Sequence, residues 1–257
     1  MSELLLETRG LRKRFGGLVA TDSVSLAIRR GECHAVIGPN GAGKTTLIAQ
    51  LSGVLAPDEG CVIFAGRDVT KISAHRRAML GFARSFQITS ILGSLTVLDN
   101  VILAVQAISG SSFRFWRAAH SETGLAAQAL EILRRIGLED RAQRTARDLS
   151  HGEHRQLELA LALATRPQLM LLDEPMAGMG PDESERMLAL IAGLKGSHTI
   201  VLVEHDMDVV FRLADRISVL VAGRIIATGS GEEIRANAEV RSAYLGDDDG
   251  GGGGGMP

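Results

Sequence analysis

Hydrophobic and polar positions change their period along the chain. Between Leu4 and Ile28 they alternate and turn as an antiparallel sheet does, with one run from Leu4 to Thr8 and another in Ser23-Val24-Ser25-Leu26-Ala27-Ile28. Ala35-Val36-Ile37 is a short apolar strand, and Thr46-Leu47-Ile48-Ala49-Gln50-Leu51 has helical spacing. Pro57-Asp58-Glu59-Gly60 reads as a turn into the strand Cys61-Val62-Ile63-Phe64. From about Ser90 to Thr165 the pattern is mostly helical, and Gln128 to Ile136 ends with Gly137 where a C-cap belongs. Strand-like runs then return between helices at Leu169–Leu172, Thr199–Val203 and Ile217–Val221. This order predicts an α/β fold, with a mostly parallel sheet flanked by helices and an antiparallel β portion. Asp247-Asp248-Asp249 and Gly250 to Gly255 form a low-complexity tail that is expected to be disordered, which leaves residues 1–246 as one domain.

Composition narrows the class. The 257 residues are 45% hydrophobic and 23% charged, enough for a sizeable core. A net charge of -2 gives no basic field, so nucleic acid is not an expected partner. No apolar run reaches the roughly 18 residues of a membrane span, and Met1-Ser2-Glu3-Leu4 does not read as a secretory signal. Cys33 and Cys61 lie in or beside apolar runs and read as small buried hydrophobes. A cytoplasmic location is expected.

Chemistry enters at Gly38-Pro39-Asn40-Gly41-Ala42-Gly43-Lys44-Thr45-Thr46, which fits G-x-x-x-x-G-K-S/T without mismatch between a strand and a helix. Glycines let backbone N–H groups converge on phosphate oxygens, and the helix N-terminus adds partial positive charge. Lys44 would meet the β- and γ-phosphates, and the Thr45 hydroxyl would ligate Mg²⁺. Leu169-Met170-Leu171-Leu172-Asp173-Glu174 is an apolar strand that delivers two acids to its C-terminal end, where ligands bind in α/β sheets. Asp173 would serve Mg²⁺, and Glu174 would orient or deprotonate the attacking water. Leu149-Ser150-His151-Gly152-Glu153 opens a further helix. Ser150 and Glu153 have capping-box spacing, and Ser150 with Gly152 makes a second anion site. Two phosphate-binding features far apart in one chain suggest ATP sandwiched between two subunits.

Taken in order, these motifs resemble the nucleotide-binding subunits of ABC transporters over residues 4–246. The resemblance implies a RecA-like core, with a helical subdomain at about 88–165 that carries Ser150 and Gly152, and a head-to-tail dimer binding ATP and Mg²⁺. It places Phe15 against adenine; a strand core aromatic is the other reading. It makes Gln87, in Arg84-Ser85-Phe86-Gln87, a Mg²⁺ ligand and γ-phosphate sensor that joins the ATP site to the membrane subunit; a solvated turn is the other reading. It makes His205, in Val203-Glu204-His205-Asp206, a γ-phosphate sensor in place of a satisfied strand-end histidine. The chain departs from the usual pattern at His151 and Glu153, where Gly and Gln are common, and at Gly180, where many members carry Asp. Partners implied are integral-membrane permease subunits, a second identical or non-identical ATPase, and indirectly a solute-binding protein, with the chain peripheral on the inner face of the membrane.

Four stretches are similar to ATPases of branched-chain amino acid uptake: Phe15-Gly16-Gly17-Leu18-Val19-Ala20, the His-Gly-Glu signature, Asp173 to Met179, and Ala243-Tyr244-Leu245-Gly246. Urea/amide uptake ATPases look nearly alike. Ser111-Ser112-Phe113-Arg114-Phe115-Trp116-Arg117 falls where that subfamily carries extra residues, with its aromatics expected to pack inside the helical subdomain; contact with the membrane subunit is the other reading. A soluble, non-transport ABC ATPase would bring a coiled-coil insertion or a tandem ATPase domain, which this sequence lacks. A dead-site interaction module is disfavoured by intact Lys44, Asp173, Glu174 and His205.

Overall fold

The computed structural model describes residues 3–84, 91–108 and 118–245; Gln87, the segment 111–117 and the tail from Asp247 lie outside the described residues. Among them the chain begins β1 (Leu4–Phe15), β2 (Leu18–Arg29), β3 (Cys33–Ile37), α1 (Lys44–Ser52), β4 (Glu59–Phe64), β5 (Arg67–Asp68), α2 (Ala74–Met79) and β6 (Phe82–Arg84). It continues with α3 (Val97–Ile108), α4 (Ala118–Ile136), α5 (His151–Ala164), β7 (Leu169–Asp173) and α6 (Pro181–Leu194). Last come β8 (Thr199–Val203), α7 (Met207–Leu213), β9 (Arg216–Val221), β10 (Arg224–Gly229), α8 (Gly231–Ala236) and α9 (Ala238–Leu245). Two compact units result. One holds the chain up to Lys71 and from Val201 onward, the other Ile72–Ile200.

In the first unit, an antiparallel sheet has the order β2-β1-β4-β5. β1 runs well past Thr8, because register shifts between Thr8 and Leu11 and again near Lys13 break the alternation without ending the strand. The buried Thr8 hydroxyl donates to Val24 O at 3.2 Å and accepts from Leu26 N at 2.9 Å, so burial leaves it satisfied. Asp58, in the expected turn, ties that turn to β1 through Lys13 Nζ at 2.7 Å and the Arg14 amide at 2.8 Å.

The same unit pairs β3 with β9 in parallel, Ala35 opposite Ile217 and Ile37 opposite Val219, and β10 runs antiparallel to β9. β3 is buried along its whole length, as a parallel strand covered on both faces should be. Ala35, Ile37, Ile217 and Val219 form a core with Val210 of α7, Ile234 of α8 and Val240 of α9. Cys33 is buried as expected, whereas Cys61 is only partly so, because it lies where β4 is still emerging from its exposed end; neither is in a disulfide.

In the second unit, β6 and β7 pair in parallel, Phe82 opposite Leu169 and Arg84 opposite Leu171. Helices α3, α4 and α5 pack on one another around Val97, Val101, Val105, Ala129, Leu133 and Leu157. Gly137 ends α4 as its sequence position predicts. It takes φ 77, its N–H bonds Arg134 O at 3.1 Å, and Leu138 N–H reaches back to Leu133 O at 2.9 Å, a Schellman closure. The buried Asn100 side chain fixes the turn before α3, donating to Leu92 O and Thr96 O and accepting from Leu92 N.

Candidate active site

The phosphate loop lies between β3 and α1 in the first unit. Two of its glycines are demanded by neighbouring backbone. A Cβ at Gly38 would stand 2.0 Å from Leu220 O, and one at Gly43, whose φ is 105, would stand 2.1 Å from Ala20 O. Ala42 closes a turn onto Pro39 O at 3.2 Å and accepts from Gly223 N at 2.9 Å. α1 begins without a side-chain cap and without an acidic residue in its first turn, so its leading amides are presented to an anion. Lys44 Nζ is held at the loop by Gly38 O at 2.6 Å and Pro39 O at 3.0 Å. Thr45 and Asn40 are exposed, Thr46 and Pro39 half-buried. A polyphosphate fits this cradle: the helix start has no side-chain cap, no first-turn carboxylate competes, and the backbone leaves no room for side chains at Gly38 or Gly43.

Phe15 and His205 belong to the same unit. Phe15 ends β1 at 51% exposed, with Lys13 Nζ 5.9 Å from its ring centroid, so it is not a strand core aromatic. His205 follows β8 with its side chain 67% exposed. Its amide donates to the buried Glu204 carboxylate at 3.3 Å, and Asp206 caps α7 by accepting from Asp208 N and Val209 N.

The acidic pair lies in the second unit, and its members have different surroundings. Asp173 ends β7 half-buried, its Oδ2 3.6 Å from Nη2 of Arg84, which is 6% exposed. Burial pushes the Arg84 guanidinium below its ordinary value, and the Asp173 charge pulls it back. Glu174 is exposed and is held at φ 50 directly before Pro175. A non-glycine residue in the left-handed region costs about 1–3 kcal/mol and concentrates at working sites. Among the described residues no three His, Cys, Asp or Glu side chains gather as a cation cage. A threonine hydroxyl and a carboxylate are each an oxygen donor of the kind that Mg²⁺ takes beside substrate phosphates.

Ser150 and Gly152 lie at the start of α5, also in the second unit. The capping box is present: Ser150 Oγ accepts from Glu153 N at 3.2 Å, and Glu153 Oε2 accepts from Ser150 N at 2.9 Å. Arg141 Nε, 2.7 Å from Glu153 Oε1, pins that acid from the side. The departures from the usual pattern have local partners. His151 Nε2 is 3.2 Å from Ala177 O, in the loop after Glu174, and Gly180 caps α6 with its N–H toward Glu183 Oε2 at 3.3 Å. Sequence reasoning passed over Arg84 and Glu183. A charge closing the apolar strand Phe82-Ala83 was a signal for the first; the second reads from sequence only as a capping acid after Pro181.

Residues 21–177 match the model of the ABC transporter family, and residues 224–250 match that of the branched-chain amino acid ATP-binding cassette transporter. The high-affinity branched-chain amino acid transport ATP-binding protein LivG of Salmonella typhimurium is 40% identical over 256 residues, covering 96% of this chain and 100% of LivG. The ADP conformation of an ATP-binding cassette of an ABC transporter superposes with a TM-score of 0.82 at 32% identity, covering 95% of this chain and 100% of that one. A dimeric bacterial ABC transporter cassette superposes with a TM-score of 0.75 at 26% identity, over 88% of this chain and 98% of that one. Among the described residues no helix is long and apolar enough to cross a membrane. With a phosphate loop, an acidic strand end and a capped signature helix in family order, and with relatives matched over nearly their full length, the chain belongs to the ATP-binding cassette proteins of ABC transporters.

Proposed function

We propose that this chain is the ATP-hydrolysing subunit of an importer of branched-chain amino acids, acting through separate permease subunits on the cytoplasmic face of the membrane. The observation that carries the ATPase reading is the uncapped start of α1, clasped at Gly38 and Gly43 with Lys44 held at its mouth. The full-length likeness to LivG supports the solute.

In this reading Lys44 and the amides of Gly38 to Thr46 hold the β- and γ-phosphate oxygens, and Phe15 stacks its exposed ring on adenine. Thr45, Asp173 and Gln87 hold Mg²⁺, which when bound neutralises phosphate charge. Glu174 aligns a water and takes its proton as the water oxygen bonds to the γ-phosphorus and the bond to the ADP oxygen breaks. Gln87 and His205 register whether the γ-phosphate is present. Ser150 and Gly152 face the γ-phosphate of ATP bound to a second ATPase subunit, identical or not, and the dimeric relative supports such a pairing. Leu103 of α3, 43% exposed on a helix that already buries Val97, Val101 and Val105, offers apolar surface for a permease segment.

Glu174→Gln tests the reading. It removes the group that takes the proton and leaves Lys44, Thr45 and Asp173 intact. Turnover is expected to fall at least about 100-fold, while ATP, and not ADP, brings two chains together on size exclusion. A variant that remains a monomer and hydrolyses ATP normally overturns both the role of Glu174 and the sandwich.

A further inference from the structure

Ser150 Oγ has one proton to give. It accepts from Glu153 N at 3.2 Å and donates to Glu183 Oε1 of α6 at 3.4 Å. The same carboxylate lies against Gly152: a Cβ built there would stand 2.4 Å from Glu183 Oε1 and 2.5 Å from its carboxyl carbon. Its other oxygen accepts from Gly180 N at 3.3 Å and caps α6. An acid from α6 thus rests on the two residues assigned above to the γ-phosphate of the partner's ATP, and takes the hydroxyl proton meant for it. We infer that Glu183 is an internal stand-in for that phosphate and must withdraw before the signature engages ATP, so that it sets how readily the ATP-bound dimer closes. The inference rests on the proposed roles of Ser150 and Gly152.

Two physical facts give the effect its sign. A hydroxyl with a single proton cannot donate to Glu183 and to a phosphate oxygen together. A carboxylate a few ångström from a phosphate also repels it, by an amount that corresponds to about tenfold or more in an equilibrium constant at a surface-like dielectric. A side chain at Gly152 would displace the carboxylate. Gln suits the test, because at N3 it can still cap α6 while its charge is gone.

The experiment measures the ATP-dependent dimer dissociation constant of the full chain by sedimentation, with Glu174→Gln as the non-hydrolysing background. Adding Glu183→Gln should tighten the dimer about tenfold with ATP and leave the ADP-bound chain monomeric. Adding Ser150→Ala as well should shrink the gain without abolishing it, because the contested hydroxyl is then absent while relief of the charge repulsion remains. If Glu174→Gln alone does not dimerise with ATP, the sandwich reading fails and the inference with it. If it dimerises and Glu183→Gln leaves the constant unchanged, or weakens the dimer, Glu183 is a helix cap or a contact across the dimer and the inference alone is overturned. A gain that Ser150→Ala leaves undiminished overturns it equally.

Discussion

Lys44 shows how separable function and stability are at the scale of one residue. Its ammonium contacts the carbonyls of Gly38 and Pro39, and its backbone opens α1. Alanine is the strongest helix former, so Lys44→Ala keeps α1 and forfeits hydrogen bonds worth about 1 kcal/mol each. Loss of a donor aimed at developing charge costs far more in rate, about 100-fold or beyond. Lys44→Ala should therefore abolish ATP turnover with a melting temperature within a few degrees of the parent's; near-normal turnover in the folded variant would sink the assignment. The roles proposed for Lys44, Asp173 and Glu174 are read from sequence, because local spacing carries their motifs. Arg84 and Glu183 are not, because their meaning depends on which side chains the fold sets beside them: Asp173 in one case, Ser150 and Gly152 in the other. Phe15 was ambiguous for the same reason, and only its exposure at the end of β1 removes the core reading.

At the scale of elements, the start of α5 was readable, since Ser150 and Glu153 announce its cap. β10 and β6 were not. β10 is mostly half-buried and shows no clean alternation, and β6 is three residues long and closes on a charge. The cap of α5 carries a pH signature. Burial raises the Glu153 carboxyl, but the Ser150 amide and Arg141 outweigh it, so it lies below its ordinary 4.5. A depressed folded value means the interaction stabilises fully above that ordinary value and fades as pH falls through the lowered one. Glu153→Gln keeps a capping side chain and removes the charge. Urea unfolding should find it less stable than the parent by about 0.5–1 kcal/mol near pH 7, a modest figure because Arg141 is partly exposed. The gap should narrow steadily below pH 4.5. A gap of constant size from pH 7 to pH 3 would mean that the Glu153 charge contributes nothing.

At the scale of the whole molecule, the question is what the hydrolysis moves. In the proposed arrangement the solute passes through permeases, and no side chain of this subunit meets it, so its identity cannot be written in the phosphate loop or the acidic pair. The solute assignment comes from likeness along the whole chain, including the four stretches shared with branched-chain amino acid ATPases. Coupling needs contacts that differ between ATP-bound and ATP-free states, since a surface that binds the permease equally in both shifts nothing. In that arrangement Leu103, exposed on α3, is where such a difference would reach a membrane helix. Removing the gene and following uptake of labelled leucine beside labelled urea separates the two nearest solutes. Leucine uptake should fall to the level of other carriers while urea uptake holds, and a plasmid copy bearing Lys44→Ala should fail to restore it. Retained leucine uptake with lost urea uptake would overturn the solute and leave the ATPase standing, because the chemistry of Lys44, Asp173 and Glu174 is indifferent to what the permease carries.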